Sequence, residues 1–172
     1  MRKVHTDIWF CSHRAADLRA TLAGWLGVDA DRIACGCGSV GLLQQLFLAY
    51  VDPGDEVVYP WPSFEAYPVD VAITAATEVA VPLVDEAFDL DAVADAVTPR
   101  TKLVVLANPN NPTGAVYSKE LLEQVIELAR KHNLIILSDE IYDKILYDGT
   151  RHISTASLAD DVLFFTYNGL SK

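Results

Sequence analysis

The last stretch of the chain runs Asp161-Val162-Leu163-Phe164-Phe165-Thr166-Tyr167-Asn168-Gly169-Leu170-Ser171-Lys172. Its apolar run reads as a buried strand, the residues after it as a turn, and the end as a Ser-Lys pair. A lysine carried by a strand into a polar loop is a candidate Schiff-base nucleophile. A lysine at the end of a chain is also, in general, a solvated and frayed one. The choice depends on what stands upstream. Asp139-Glu140-Ile141-Tyr142 follows a second apolar run, and Asn108-Pro109-Asn110-Asn111-Pro112-Thr113-Gly114 follows a third.

Working outward, apolar runs and helical patterns alternate. A helix is expected from Ser12 through Ala15, Leu18, Leu22, Trp25 and Leu26 to a stop at Gly27. Arg32 to Cys35 is a short strand, and Val40 to Val51 an apolar helix. Glu56 to Tyr59 is a strand that Pro60 and Pro62 end. Ser63 to Tyr67 is a helical turn carrying Phe64 and Tyr67. Strands are expected at Glu78–Pro82 and Lys102–Ala107, with a short helix at Leu90–Val97 between them. Ser118 caps a helix with the stripe Leu121, Leu122, Val125, Ile126, Ala129. Leu134–Leu137 is a strand with Asp139 just past its end, and Val162–Thr166 is the last strand.

About six alternations, without repeats or low-complexity linkers, predict an α/β protein of three layers, α/β/α, around a mostly parallel sheet. Ligands of such sheets bind at the carboxyl ends of the strands. Ser39, Asn111, Asp139 and Lys172 each follow a predicted strand, so four polar groups are expected at one edge.

Composition narrows the classes. The chain has 172 residues, 51% of them hydrophobic and 22% charged, which suits one globular domain with a real core. No apolar run is long enough to span a bilayer, and Met1-Arg2-Lys3-Val4-His5 is not followed by the apolar segment of a signal peptide. Three cysteines argue against a disulfide framework and for a reducing, cytoplasmic setting. A net charge of −11 disfavours nucleic acid and anionic membranes as partners. It leaves room for a small anion held by backbone N–H groups.

The ordered motifs Asn-Pro-Asn-Asn-Pro-Thr-Gly (108–114), Asp-Glu-Ile-Tyr (139–142) and Ser171-Lys172 resemble the signature of fold-type-I aminotransferases that use pyridoxal 5'-phosphate. The resemblance runs from about Leu18 to Lys172. Cys35 through Tyr67 is most similar to a histidinol-phosphate or aromatic aminotransferase. Tyr117 through Lys172 is more similar to an alanine-type enzyme, the pattern of a chimera or designed hybrid. The resemblance implies the large domain of the aspartate-aminotransferase-like fold over residues 1–172, incomplete and without the small C-terminal domain. It implies an amino acid and a 2-oxo acid as substrates, and a homodimer.

The resemblance also implies roles. Lys172 would form the Schiff base and move the proton. Asp139 would pair with the pyridinium nitrogen, and Tyr142 and Asn111 would meet the ring's phenolic oxygen. Phe64 would stack on the ring. Gly38, Ser39 and Val40 at a helix start would hold the phosphate, with Ser171 assisting. Each residue alone has a plainer reading: a turn asparagine, a capping aspartate, a packed aromatic. The order of the set favours the cofactor site.

Three departures accompany the resemblance. The N-terminal arm is absent or reduced to Met1–Phe10. Val40-Gly41 stand where an acidic pair is common. The segments the family places after the lysine, among them a phosphate-clamping arginine and a carboxylate-binding arginine, do not follow Lys172. A second reading is therefore a truncated or engineered cofactor-binding domain with little turnover. A third is a dinucleotide-binding oxidoreductase, since Gly36-Cys37-Gly38-Ser39-Val40-Gly41 matches G-x-G-x-x-G. Against it, no acid stands at the end of the next strand, which closes Val58-Tyr59-Pro60-Trp61. Cys35 and Cys37 as a metal pair would need further histidine or cysteine ligands, with Cys11 and His13 the only companions, and they read instead as small buried thiols around a tight turn.

Overall fold

The computed structural model describes residues 4–8 and 15–169. Leu170, Ser171 and Lys172 lie outside the described residues, as do Ser12 and the rest of 9–14. Among the described residues seven strands form one sheet: β1 (Val4–Ile8), β2 (Ile33–Ala34), β3 (Glu56–Trp61), β4 (Thr77–Pro82), β5 (Thr101–Ala107), β6 (Ile135–Asp139) and β7 (Phe164–Gly169). Their order is β2-β1-β7-β6-β5-β3-β4, and each neighbouring pair is parallel. Five α-helices connect them: α1 (Ala15–Leu26), α2 (Gly38–Tyr50), α3 (Ala66–Ile73), α4 (Leu90–Ala96) and α5 (Lys119–His132).

Alternation along the strands divides the core. Leu103, Val105, Ile135, Leu137, Phe165 and Tyr167 pack with α2 and α3 through Leu42, Leu43, Phe47, Tyr67 and Val71. Val104, Leu106, Ile136 and Phe164 pack with α4 and α5 through Val93, Leu122, Val125, Ile126 and Ala129. Side chains of successive strand residues point to opposite faces, so the helices sandwich the sheet. This is the three-layer arrangement expected. Central strands β5 and β6 are apolar on both faces for the same reason, whereas the edge strand β4 is half exposed.

The order of connections locates a crevice. From β3 the chain moves to β4 through α3 on one face. From β5 it moves the other way, to β6 through α5 on the opposite face. Right-handed crossovers in opposite directions put their helices on opposite faces and leave a switch point between β3 and β5.

Some boundaries differ from the sequence expectation. β3 does not stop at Pro60 but continues to Trp61. The Trp61 carbonyl accepts from Leu83 N, so Trp61 and Tyr59 face β4 and Pro60 faces the other side. Pairing with β5 there ends at Val58↔Val104, so the missing N–H of Pro60 costs no ladder bond. The helical turn placed at Ser63–Tyr67 is the lead-in to α3, which runs from Ala66. Asp139 is the last residue of β6, not the residue after it. Residues 4–8, expected as a reduced arm, form β1 inside the sheet between β2 and β7. α5 is capped as read: the Ser118 side chain accepts from Leu121 N, and Asn133 closes the helix in the left-handed region.

Candidate active site

A cavity of about 120 Å³ opens at the carboxyl ends of the strands, beside the switch point. Phe64 enters it from the segment after β3. Ala107, Pro109 and Asn111 enter from the end of β5. Asp139, Ile141 and Tyr142 come from β6, Tyr167 from β7, and Ser39 from the first turn of α2. Five residues singled out from the sequence, Ser39, Phe64, Asn111, Asp139 and Tyr142, thus share one wall.

The loop after β5 is built to deliver Asn111. Asn108 Oδ1 accepts from Tyr117 N at 3.0 Å, folding the loop back on itself. Asn110 Oδ1 accepts from Thr113 N at 3.2 Å and from the Thr113 hydroxyl at 2.9 Å. Gly114 N donates to Asn110 O at 2.8 Å. That closure needs φ +75° at Gly114, which glycine adopts without strain.

Asp139 is 4% exposed. Its Oδ2 accepts from the Tyr67 hydroxyl at 2.6 Å and its Oδ1 from Ile141 N at 3.3 Å. Burial pushes its carboxyl up to about 6, with the nearby Glu140 charge adding to the rise; the bonds from Tyr67 and Ile141 pull it back. Among the described residues no cationic side chain forms an ion pair with it. Burial and the Asp139 charge hold the Tyr67 phenol far above its ordinary value, so Tyr67 is the donor whenever Asp139 is ionised. The Tyr67 ring also meets Phe64 edge-on, centroids 5.7 Å apart at 89°.

Gly38 and Val40 stand beside Ser39 at the start of α2 but do not line the cavity; Val40 is exposed. Gly38 has φ +76°, which lets the chain turn sharply into the helix. Ser171 and Lys172 lie outside the described residues. Tyr67 and Tyr167 belong to the site and were not singled out for it. The available signals were the strand parity that puts Tyr167 with Phe165 on the α2/α3 face, and the need of a buried phenol for an acceptor.

The model of the aminotransferase class I and II family matches residues 10–172. The chain belongs to the class I and II aminotransferases. It is 47% identical over 153 residues to the glutamate-pyruvate aminotransferase AlaA of Escherichia coli (strain K12), covering 87% of this chain and 38% of that protein. It is 47% identical over 146 residues to an aromatic amino acid aminotransferase of Corynebacterium diphtheriae, covering 84% and 42%. The structure superposes on an aminotransferase from Escherichia coli with a TM-score of 0.82 at 43% identity, covering 92% of this chain and 40% of the other. The chain therefore spans about two fifths of these relatives. The alignment to the glutamate-pyruvate aminotransferase runs across both parts of the chain. Class I and II aminotransferases depend on pyridoxal phosphate, the cofactor expected from the motifs.

The cavity fits that cofactor. A buried carboxylate with no ion-pair partner among the described residues suits a pyridinium nitrogen, an aromatic ring suits its face, and a hydroxyl at a helix N-terminus suits its phosphate. The dinucleotide reading gains nothing here. The acid nearest the Gly-x-Gly loop in the next strand, Glu56, is buried at the start of β3 and bound by Arg100, Thr98 and Thr101.

Proposed function

We propose that the chain is the cofactor-binding part of an aminotransferase that moves an amino group between an amino acid and a 2-oxo acid, alanine and glutamate-type substrates first. The observation that carries this reading is the buried Asp139 carboxylate, without an ion-pair partner among the described residues, in a cavity it lines with Phe64, Asn111, Tyr142 and Ser39. When bound, pyridoxal phosphate supplies an electron sink for the carbon that loses its proton.

The chain's residues divide the remaining work. Asp139, ionised above about 6, would hold the ring nitrogen's proton in place. Tyr67 keeps Asp139 oriented. Phe64 would cover the ring face, Asn111 and Tyr142 would meet the phenolic oxygen, and Ser39 with the first N–H groups of α2 would hold the phosphate. Lys172 would carry the covalent attachment and move the proton. The alanine-type preference is supported by the glutamate-pyruvate relative, and the aromatic relative marks the alternative to assay beside it; histidinol phosphate is the third donor to include. The partner we propose is a second copy of the chain. Leu48 on α2 and Val69 and Ile73 on α3 are exposed apolar side chains on neighbouring helices, and sedimentation at rising concentration tests their pairing.

The deciding experiment is borohydride reduction of the chain mixed with pyridoxal phosphate, followed by peptide mass mapping. The label is expected on Lys172. A label on Lys131 or Lys144, or none, refutes the reading.

A further inference from the structure

Glu140 is 3% exposed, and its side chain lies on the other side of the strand end from Asp139. Its Oε1 accepts three bonds: from the Ser138 hydroxyl at 2.9 Å, the Ser154 hydroxyl at 3.1 Å and Thr155 N at 3.0 Å. Its Oε2 meets His152 Nε2 at 2.9 Å. Ser138 and Thr155 also join each other at 3.0 Å. One buried carboxylate therefore ties segment 152–155 to the end of β6.

The backbone on either side of Glu140 is the wall of the cavity. Glu140 N donates to Tyr167 O at 2.8 Å, and Asn108 N donates to Asp139 O at 2.9 Å. Ile141 N, the next amide, is the one that donates to the Asp139 carboxylate. A rotation of the peptide at 140 would move Asp139, Ile141 and Tyr142 together. Burying a carboxylate is costly, and apolar packing of the same volume is usually at least as stabilising. What a carboxylate offers is directional: four donors from two segments fix one geometry.

We propose that Glu140 is a positioning residue for the cofactor site, acting through Asp139 by clamping segment 152–155 against the carboxyl end of β6. The proposal rests on the cofactor reading given above. It predicts a difference between two substitutions. In Glu140→Gln the amide oxygen keeps the three Oε1 donors, and the amide N–H donates to His152 Nε2 once the imidazole proton moves to Nδ1, a buried atom with no bond of its own. The clamp survives without its charge. Glu140→Ala removes it.

Pyridoxal phosphate affinity is measured by fluorescence titration for both variants, alone and combined with Asp139→Asn. The Gln variant is expected within about threefold of the parent, and the Ala variant about tenfold weaker or worse. In the Asp139→Asn background the Ala effect is expected to shrink to about threefold or less, since coupling marks residues that act together. Equal losses in Gln and Ala, or an Ala loss undiminished without Asp139, overturn the proposal. Amide exchange in the ligand-free chain reads the clamp apart from the cofactor. Protection at Ile141 is expected to fall in Glu140→Ala and to persist in Glu140→Gln, and unchanged protection in the Ala variant overturns the proposal. If Glu140→Ala does not fold, Ser154→Ala and His152→Leu remove single donors, and each must still speed exchange at Ile141. A parent chain that binds no pyridoxal phosphate refutes the cofactor reading instead, and Ile141 exchange still decides whether the clamp exists.

Discussion

The Tyr67 hydroxyl donates to Asp139 Oδ2 at 2.6 Å, joining α3 to the end of β6 inside the core. With Asp139 ionised the bond has one direction, because burial holds Tyr67 protonated. It favours the charged carboxylate against the desolvation that pushes Asp139 up to about 6. A hydrogen bond to a charged group is worth about 1.5–3 kcal/mol, and one pKa unit is about 1.4 kcal/mol. Tyr67→Phe is therefore expected to raise the Asp139 pKa by about one unit or more, read from the side-chain carboxyl carbon by NMR in the ligand-free chain. An unmoved titration would show that the bond does not form.

Asp139→Asn tests the same carboxylate from the cofactor side. An amide cannot pair with a pyridinium as a carboxylate does, and the charge-assisted bond lost is worth about 1.5–3 kcal/mol. Pyridoxal phosphate affinity should fall by roughly 10- to 150-fold by equilibrium dialysis. The unliganded fold should persist, because an unpaired buried charge is removed. An affinity equal to the parent's would take the ring nitrogen away from Asp139.

The strand–helix alternation was legible because α5 and the strands β5 and β6 carry their own signals: a capped amphipathic stripe and uninterrupted apolar runs. The convergence of Ser39, Asn111 and Asp139 was legible too, since a parallel sheet delivers the residues after its strands to one edge. β1 was not, because its place comes from pairing with β7, far away in sequence. Tyr67 and Glu140 were not, because their partners are set by tertiary contact: Tyr67 meets Asp139 across 72 positions, and Glu140 meets His152, Ser154 and Thr155 in a loop with no motif. Pro60 misled because its consequence depends on which side of β3 is unpaired.

Asp70 gives a pH prediction. It is 1% exposed in α3, and neither carboxylate oxygen has a hydrogen-bond partner among the described residues. Burial pushes it from 3.8 up to about 6. Between these values the folded chain binds more protons than the unfolded one, so this group's contribution to stability falls as pH rises through the window. The cost is fully present above about 6 and absent below about 4. Asp70→Asn is expected to stabilise by about 1–3 kcal/mol at pH 7.5, and by much less at pH 4. Urea unfolding at the two pH values measures it, and a gain independent of pH would mean that charge burial is not the cause.

Glu56 should show the opposite sign. It is buried at the start of β3 and accepts from the Thr98 hydroxyl at 2.5 Å, the Thr101 hydroxyl at 3.2 Å and Arg100 Nε at 2.9 Å. Its pKa is lowered from 4.5, first by Thr98 and then by Arg100 and Thr101, against desolvation. A depressed folded value contributes stability above the unfolded value that is lost as pH falls below about 4.5 through the folded one. Glu56→Gln keeps the shape but loses the charge, and should cost about 1–3 kcal/mol at pH 7. Its deficit should narrow steadily as the pH is taken below about 4.5, while that of an uncharged control such as Ser118→Ala, about 1 kcal/mol from the α5 cap, should not. The group lies at the amino end of the sheet, away from the cavity, so cofactor affinity should stay at the parent's level. A deficit that is flat with pH would show that Glu56 holds the β3–β5 junction by packing rather than by its charge.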